Sequence, residues 1–222
     1  MILLHIHRGP VMDISATGTE AWWDKPWRTG FRKHEVAGPV HIGASGVDGD
    51  EQADLENHGG PDKALCVYPA EHYDQWHQAL APSTMRHGAF GENFTTQGMT
   101  ESTVFIGDVF RFPDGTEVQI SQPRQPCWKL ARRWRIKDLA LQVERTGRTG
   151  WYFRVLKAGV IAAGQTLQLK HRPHPEWSVS LANELMHHRK EDLTAASALA
   201  ACEALSASWR KVFNARLERR ES

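Results

Sequence analysis

The composition of the chain changes at Arg172-Pro173-His174-Pro175, and that break constrains the fold more than any other feature. Each proline disfavours helix in the residue before it, so the stretch reads as a linker between two regions of different character. Upstream, from Val40 to Lys170, short apolar runs alternate with Gly, Asp and Pro, the pattern of a β-rich barrel or sandwich. Val104 to Phe112, Glu117 to Ser121 and Gly159 to Leu169 are the clearest of these strand-like runs. Two helices are predicted to interrupt them. One follows Pro69 through Glu71, Tyr73, Trp76 and Leu80, and the other runs from about Ile136 to a stop at Gly147. Downstream, Ala, Leu, Glu and Arg dominate and Gly nearly vanishes. Leu181, Leu185 and Met186 form one apolar stripe, Leu199, Cys202 and Leu205 a second, and Trp209, Val212, Phe213 and Leu217 a third. With Thr194 and Ser206 as N-caps for the later two, the spacing predicts three short helices. The expected fold is therefore mostly β with helices: a β-barrel domain over residues 1–172 and a small three-helix domain over residues 173–222. So small a bundle has little core of its own, and is expected to dock on the barrel or on a partner, a second copy included.

A chain of 222 residues has ample length for a core. Its 27 basic and 26 acidic residues leave a formal charge of +1, which gives no reason to expect a nucleic-acid polymer or a membrane surface as partner. The segment Met1 to Arg8 lacks a basic stretch followed by a long apolar one, so it reads as a first strand and not a signal peptide. No apolar run approaches the ~18 residues needed to span a bilayer. A cytoplasmic location is expected. Cys66, Cys127 and Cys202 are widely spaced and odd in number, which argues against a disulfide framework or a CxxC site.

Cys127 lies in Gln122-Pro123-Arg124-Gln125-Pro126-Cys127-Trp128-Lys129, between two cations. Pro126 suits the first turn of a helix, so Cys127 and the run Leu130 to Trp134 are predicted to begin one. A helix N-terminus and flanking cations both lower a thiol's pKa and favour the thiolate that metals and electrophiles require. From position alone two readings stand, a reactive thiolate or the buried inert thiol that free cysteines commonly form.

Three other segments are dense in polar residues held by glycine: Thr29 to Lys33, Gly46 to Asp54 leading into His58-Gly59-Gly60-Pro61-Asp62-Lys63, and Phe90-Gly91-Glu92-Asn93. Glycine lets backbone N–H groups approach an anion, and an adjacent Lys or Arg supplies counter-charge, so the three suit a pocket for a phosphate-bearing cofactor. Singly, each is equally well a turn. In combination and in this order, with Tyr68-Pro69, Gly107-Asp108 and the Cys127 segment, they resemble the MOSC domain family, named after the C-terminal domain of molybdenum cofactor sulfurase. The subgroup the chain is most similar to is the stand-alone bacterial YiiM-like proteins, which carry a three-helix domain after the barrel. The segment Ala21 to Trp27 departs from the family pattern, at what would be the pocket entrance.

The resemblance implies a molybdenum cofactor (molybdopterin) held in a cleft of the barrel, with Cys127 as protein ligand to the metal. A soft thiolate suits molybdenum already carrying the dithiolene sulfurs of the pterin. Arg124, Lys33, His58 and Lys63 would contact the pterin or its phosphate, and Gly91 and Asn93 would form the floor. The implied reaction is reduction of N-hydroxylated compounds such as hydroxylamino-purines to amines, with protons from an acid such as protonated His58 or from a water. No flavin, haem or iron-sulfur motif is present in the chain, so electrons would come from a partner reductase protein. Two further readings remain open here: a carrier or sulfur-transfer module that passes the cofactor on, and a barrel used only for protein interaction.

Overall fold

The computed structural model describes residues 1–80 and 84–221. The strands before the first helix are β1 (Ile2–Arg8), β2 (Met12–Ile14), β3 (Trp27–Thr29), β4 (His34–Glu35), β5 (Val40–Gly43), β6 (Gly46–Val47) and β7 (Leu65–Pro69). Helix α1 (Glu71–Ala79) leads to β8 (Phe94–Gln97), β9 (Val109–Arg111) and β10 (Glu117–Pro123). Helices α2 (Trp128–Trp134) and α3 (Leu139–Thr146) follow, then β11 (Trp151–Lys157), β12 (Gly159–Ile161) and β13 (Gln168–His171). The chain ends with α4 (Val179–His187), α5 (Leu193–Ala200) and α6 (Ala207–Glu221). Ser222, the last residue of the predicted helical domain, lies outside the described residues.

The strands form an eight-stranded sheet in the order β13-β9-β10-β11-β7-β8-β1-β4, a three-stranded sheet β12-β5-β6 and the pair β2-β3. The large sheet is antiparallel except between β7 and β8, whose parallel pairing needs the crossover that α1 supplies. No closed barrel is found among the described residues, because β13 and β4 are the two ends of the large sheet. A single bridge between Ile2 and Thr166, flanked by the bonds Leu3 N–H to Gln165 O and Leu167 N–H to Met1 O, brings the strands near closure without continuing the ladder.

The predicted helices at 71–80 and 136–147 form, the second starting at Leu139 and ending as expected with Gly147 in the left-handed region. Val104 to Asp108, read as strand from its apolar residues, is instead a turn before β9. Its burial comes from the C-terminal segment: Ile106 N–H bonds Trp177 O at 2.8 Å, and Val179 N–H bonds Val104 O at 3.0 Å. A Cβ on Gly107 would stand 2.9 Å from both Ala204 Cβ and Pro173 Cγ, so the Gly107-Asp108 motif is the seat on which the C-terminal region rests. Asp108, fully buried, accepts both Arg172 Nε (2.8 Å) and Nη2 (2.7 Å), which pins the segment read as a linker.

One apolar cluster runs from the sheet into the helices, joining Leu3, Ile6, Val118, Ile120 and Phe153 to Val179, Leu185, Leu199, Trp209 and Phe213. The three helices thus share the core of the sheet. The N-cap of α5 is Asp192, which accepts Ala195 N–H at 3.0 Å, and not Thr194, whereas Ser206 accepts Trp209 N–H in the role expected of it. Cys202 and Leu205 lie buried in the α5–α6 connection and not on a helix.

Candidate cofactor site

The 30–33 loop, Gln52, the His58 to Lys63 turn, β7, the Gly91 to Asn93 turn, the link from β10 into α2, and β11 meet at one cavity. All seven residues singled out from sequence, Lys33, His58, Lys63, Gly91, Asn93, Arg124 and Cys127, line it. Its empty volume is about 520 Å³ including the open mouth, and little of it is enclosed. Such a space takes a small anionic head group, and the body of a larger ligand would extend through the mouth.

Four cations line the cavity (Lys33, Lys63, Arg124 and Lys129), and no carboxylate does among the described residues. They are not equivalent. Lys33, its side chain 2% exposed, is held by a short ion pair to buried Asp50, so its charge is spent. Lys63 donates to Asn57 O at 2.8 Å, and burial lowers its pKa. Lys129 is buried at the foot of α2, with Nζ 3.5 Å from His58 Nδ1. Arg124 is 5% exposed, and its Nη1 is buried without a hydrogen-bond partner. Burial alone would depress its pKa, but Cys66, Tyr152, Cys127 and Glu92 outweigh it and push the value up, so Arg124 stays charged. A buried guanidinium with an unmet donor, aromatic only toward Phe31 at 6.0 Å, is a standing demand for an anion.

Cys127, partly buried, is the N-cap of α2 with extended backbone (φ −127°, ψ 171°), and the helix itself starts at Trp128. The expectation that Cys127 begins the helix is off by one residue, because an N-cap keeps β-region dihedrals. Its side chain makes no capping bond, so the thiol is left for the cavity. Arg124 interacts electrostatically with this thiol, and Lys129 of the seven-residue α2 lines the same cavity.

His58 differs from expectation. Burial first, then Lys129, Arg124 and Lys63, outweigh Asp54 and lower its pKa to about 4. At neutral pH His58 is therefore an uncharged imidazole, which leaves water, the other proton source implied, in place of a protonated His58. The floor is rigid. Asn93 Nδ2 donates to Asp50 Oδ2 (2.9 Å) and His7 O (3.2 Å), while its Oδ1 accepts Cys66 N–H (3.0 Å). Gly91 has φ +72°, and a Cβ there would lie 2.7 Å from the Phe31 ring. Both residues hold the cavity's shape through bonds already made.

Sequence reasoning missed Cys66 and Tyr152, which also line the cavity, and took Lys129 only as a cation flanking Cys127 and not as part of the cavity wall. Burial pushes the Cys66 thiol up in pKa, and burial followed by Cys66 does the same to Tyr152. The Trp22 to Trp27 segment now has a place. Arg132 of α2 lies 5.3 Å over Trp27 and 5.5 Å over Trp128 and donates to the carbonyls of Trp23, Lys25 and Pro26. Arg135, the left-handed cap of α2, adds a 2.8 Å ion pair to Asp24. The segment is a strap across the helix that presents Cys127.

A MOSC domain model matches residues 54–168, just over half of the chain. The chain belongs to the MOSC family. A second model, a YiiM-like 3-alpha helix domain, matches residues 177–220. Protein YiiM of Escherichia coli (strain K12) is 38% identical over 186 residues, covering 83% of this chain and 82% of that one. YflK of Bacillus subtilis (strain 168) is 47% identical over 195 residues, 88% of this chain and 87% of that one. A Gibberella moniliformis protein named Reductase is 39% identical over 163 residues, 72% of this chain but 29% of that longer protein. The crystal structure of YiiM from Geobacillus stearothermophilus superposes with a TM-score of 0.80 at 36% identity, covering 97% of this chain and 98% of that one. Family and helical extension together make this MOSC protein one of the stand-alone YiiM-like subgroup.

Proposed function

We propose that the chain is a molybdenum-cofactor-binding oxidoreductase that reduces N-hydroxylated compounds, such as hydroxylamino-purines, to amines with electrons from a partner reductase. The observation that carries this reading is the unpartnered, buried guanidinium of Arg124 in a cavity lined by cations beside the half-buried thiol of Cys127. Among the described residues no group of three His, Cys, Asp or Glu could hold a bare metal ion, so a metal here would bring most of its own ligands and take one more from Cys127. That donor set fits a metal carried by an anionic dithiolene. The relative named Reductase supports a redox role.

In this reading Arg124, Lys63 and Lys129 bind the anionic parts of the cofactor, and Cys127 ligates its metal. Bound there, the cofactor supplies the two-electron couple and the oxygen acceptor for the conversion of an N-hydroxyl group, two electrons and two protons into amine and water. Lys33 serves through its ion pair with Asp50, fixing the loop that carries Phe31. His58, uncharged and against Lys129, contributes hydrogen bonds to the occupant, and the protons enter from solvent at the mouth.

The test is metal analysis of protein expressed in cells able to make the cofactor, followed by turnover of an N-hydroxylated purine with a reduced electron-transfer protein. Molybdenum near one per chain with repeated turnover is the expected result. Metal without turnover would favour the carrier reading, and protein free of molybdenum would overturn both.

A further inference from the structure

The turn that carries His58 and Lys63 into the cavity is tied to the far end of the chain by Asp62. Its Oδ2 accepts the backbone N–H of Ala207, the first residue of α6, at 3.0 Å. Its Oδ1 accepts Arg154 Nε (3.0 Å) and Nη2 (2.6 Å), and Arg154 Nη1 reaches on to Ala204 O at 2.9 Å. Its main-chain carbonyl accepts Ser121 Oγ at 2.5 Å. One residue on, Ser208 Oγ donates to Gln122 Oε1 at 3.0 Å, two residues before Arg124. A carboxylate at the start of a fifteen-residue helix also meets the positive end of its dipole. Two of the cavity's cation-bearing segments, 58–63 and 122–124, are therefore fastened to the N-terminus of α6.

We infer that Asp62 is a positioning residue through which α6 sets the geometry of the anion cavity, so that the three-helix region completes the site without lining it. The inference rests on the proposed reading of the cavity as an anion site, and its test separates the two. Asp62→Asn is a poor probe, because removing a negative charge beside Lys63 strengthens anion binding while loosening the turn weakens it. Ala207→Pro is clean. Proline is tolerated at the first helical position, where it deletes one N–H and no charge, and the extended backbone it favours at Ser206 is that of an N-cap. Ala207→Gly keeps the N–H and serves as the control.

Hydrogen exchange of the 57–64 amides and molybdate affinity of the apo protein are measured for all three. In Ala207→Pro, loss of one hydrogen bond to a charged group is expected to quicken exchange of the turn by about tenfold or more, and the molybdate Kd, which feels only the loosened turn, to rise by about three- to tenfold. The glycine variant should match the parent, and the melting temperatures of all three should lie close together. Unchanged exchange in the proline variant, or faster exchange with unchanged affinity, overturns the inference. Failure of the parent to bind molybdate would instead count against the anion-site reading, with the exchange comparison still deciding whether α6 holds the turn.

Discussion

Replacing Arg124 with methionine is expected to raise the stability of the apo protein while destroying its capacity for anions. The guanidinium is 5% exposed with Nη1 unsatisfied, and of the groups named above that favour its charge only Glu92 is a carboxylate, with no hydrogen bond to it. A buried charge without hydrogen-bonded compensation costs several kcal/mol, reduced here by Glu92 and by water at the open mouth, so its removal should return about 1 to 3 kcal/mol. Methionine keeps the aliphatic volume, and the bond from Arg124 N–H to Gly150 O is main-chain and survives. For a chain of this size each kcal/mol moves the melting temperature by about 2 to 4 °C. The lost charge-assisted contact is worth about 1.5 to 3 kcal/mol, a tenfold to hundredfold weaker anion. Arg124→Lys should gain no stability, since a charge stays buried, and should still bind less well because an ammonium lacks the planar fork. Thermal unfolding in oxyanion-free buffer and molybdate titration of the three proteins test this together. A melting temperature several degrees lower for Arg124→Met with unchanged affinity would refute the argument and make Arg124 a structural residue.

Cys127→Ser should leave the melting temperature within a degree or so and abolish molybdenum retention and turnover, because a hydroxyl does not ionise at neutral pH; full activity would refute the ligand assignment. Cys66→Ser, in the cavity wall but with its thiol kept protonated by burial, should cost about 1 to 3 kcal/mol in urea unfolding and leave metal retention in place. Because His58 titrates near 4 in the fold against 6.5 when free, the unfolded chain takes up the proton first, so stability falls as pH drops from about 6.5 to 4 and is insensitive above that window. The loss attributable to His58 is below about 3 kcal/mol, a fifth of the side chain being exposed, and it should be absent from the difference in unfolding free energy between pH 7 and pH 5 of His58→Gln. A chain ending at Arg172 should be insoluble or molten, seen as lost near-ultraviolet circular dichroism, since Val179, Leu185, Trp209 and Phe213 are part of the sheet's own core; a cooperatively folded 1–172 product would show the sheet self-sufficient.

The parts of this molecule legible in the sequence are those that local chemistry dictates. Glycines that must reverse the chain, at Gly59, Gly60, Gly91 and Gly107, announce their turns because positive φ excludes most other residues, and the polar residues beside them travel into the cavity with the turn. What could not be read depends on partners distant in sequence. Lys129 reads in sequence only as a cation beside Cys127 until His58, 71 positions away, is set against it, and burial, with Lys129 adding to it, makes His58 a neutral imidazole. Sheet closure is decided by how β1 meets the strands of residues 160–171, which no single strand's pattern encodes. The composition break at Pro173 marks a change of secondary structure and not a boundary between cores. A hydrophobic stripe says only that a helix has an apolar face, never against what, and here α4 and α6 spend theirs on the sheet. Asp62 makes the same point at the site. Within its turn it is one more polar residue beside a proline, and only its bond to Ala207, 145 residues away, shows that the end of the chain helps to hold the cavity where the anion would sit.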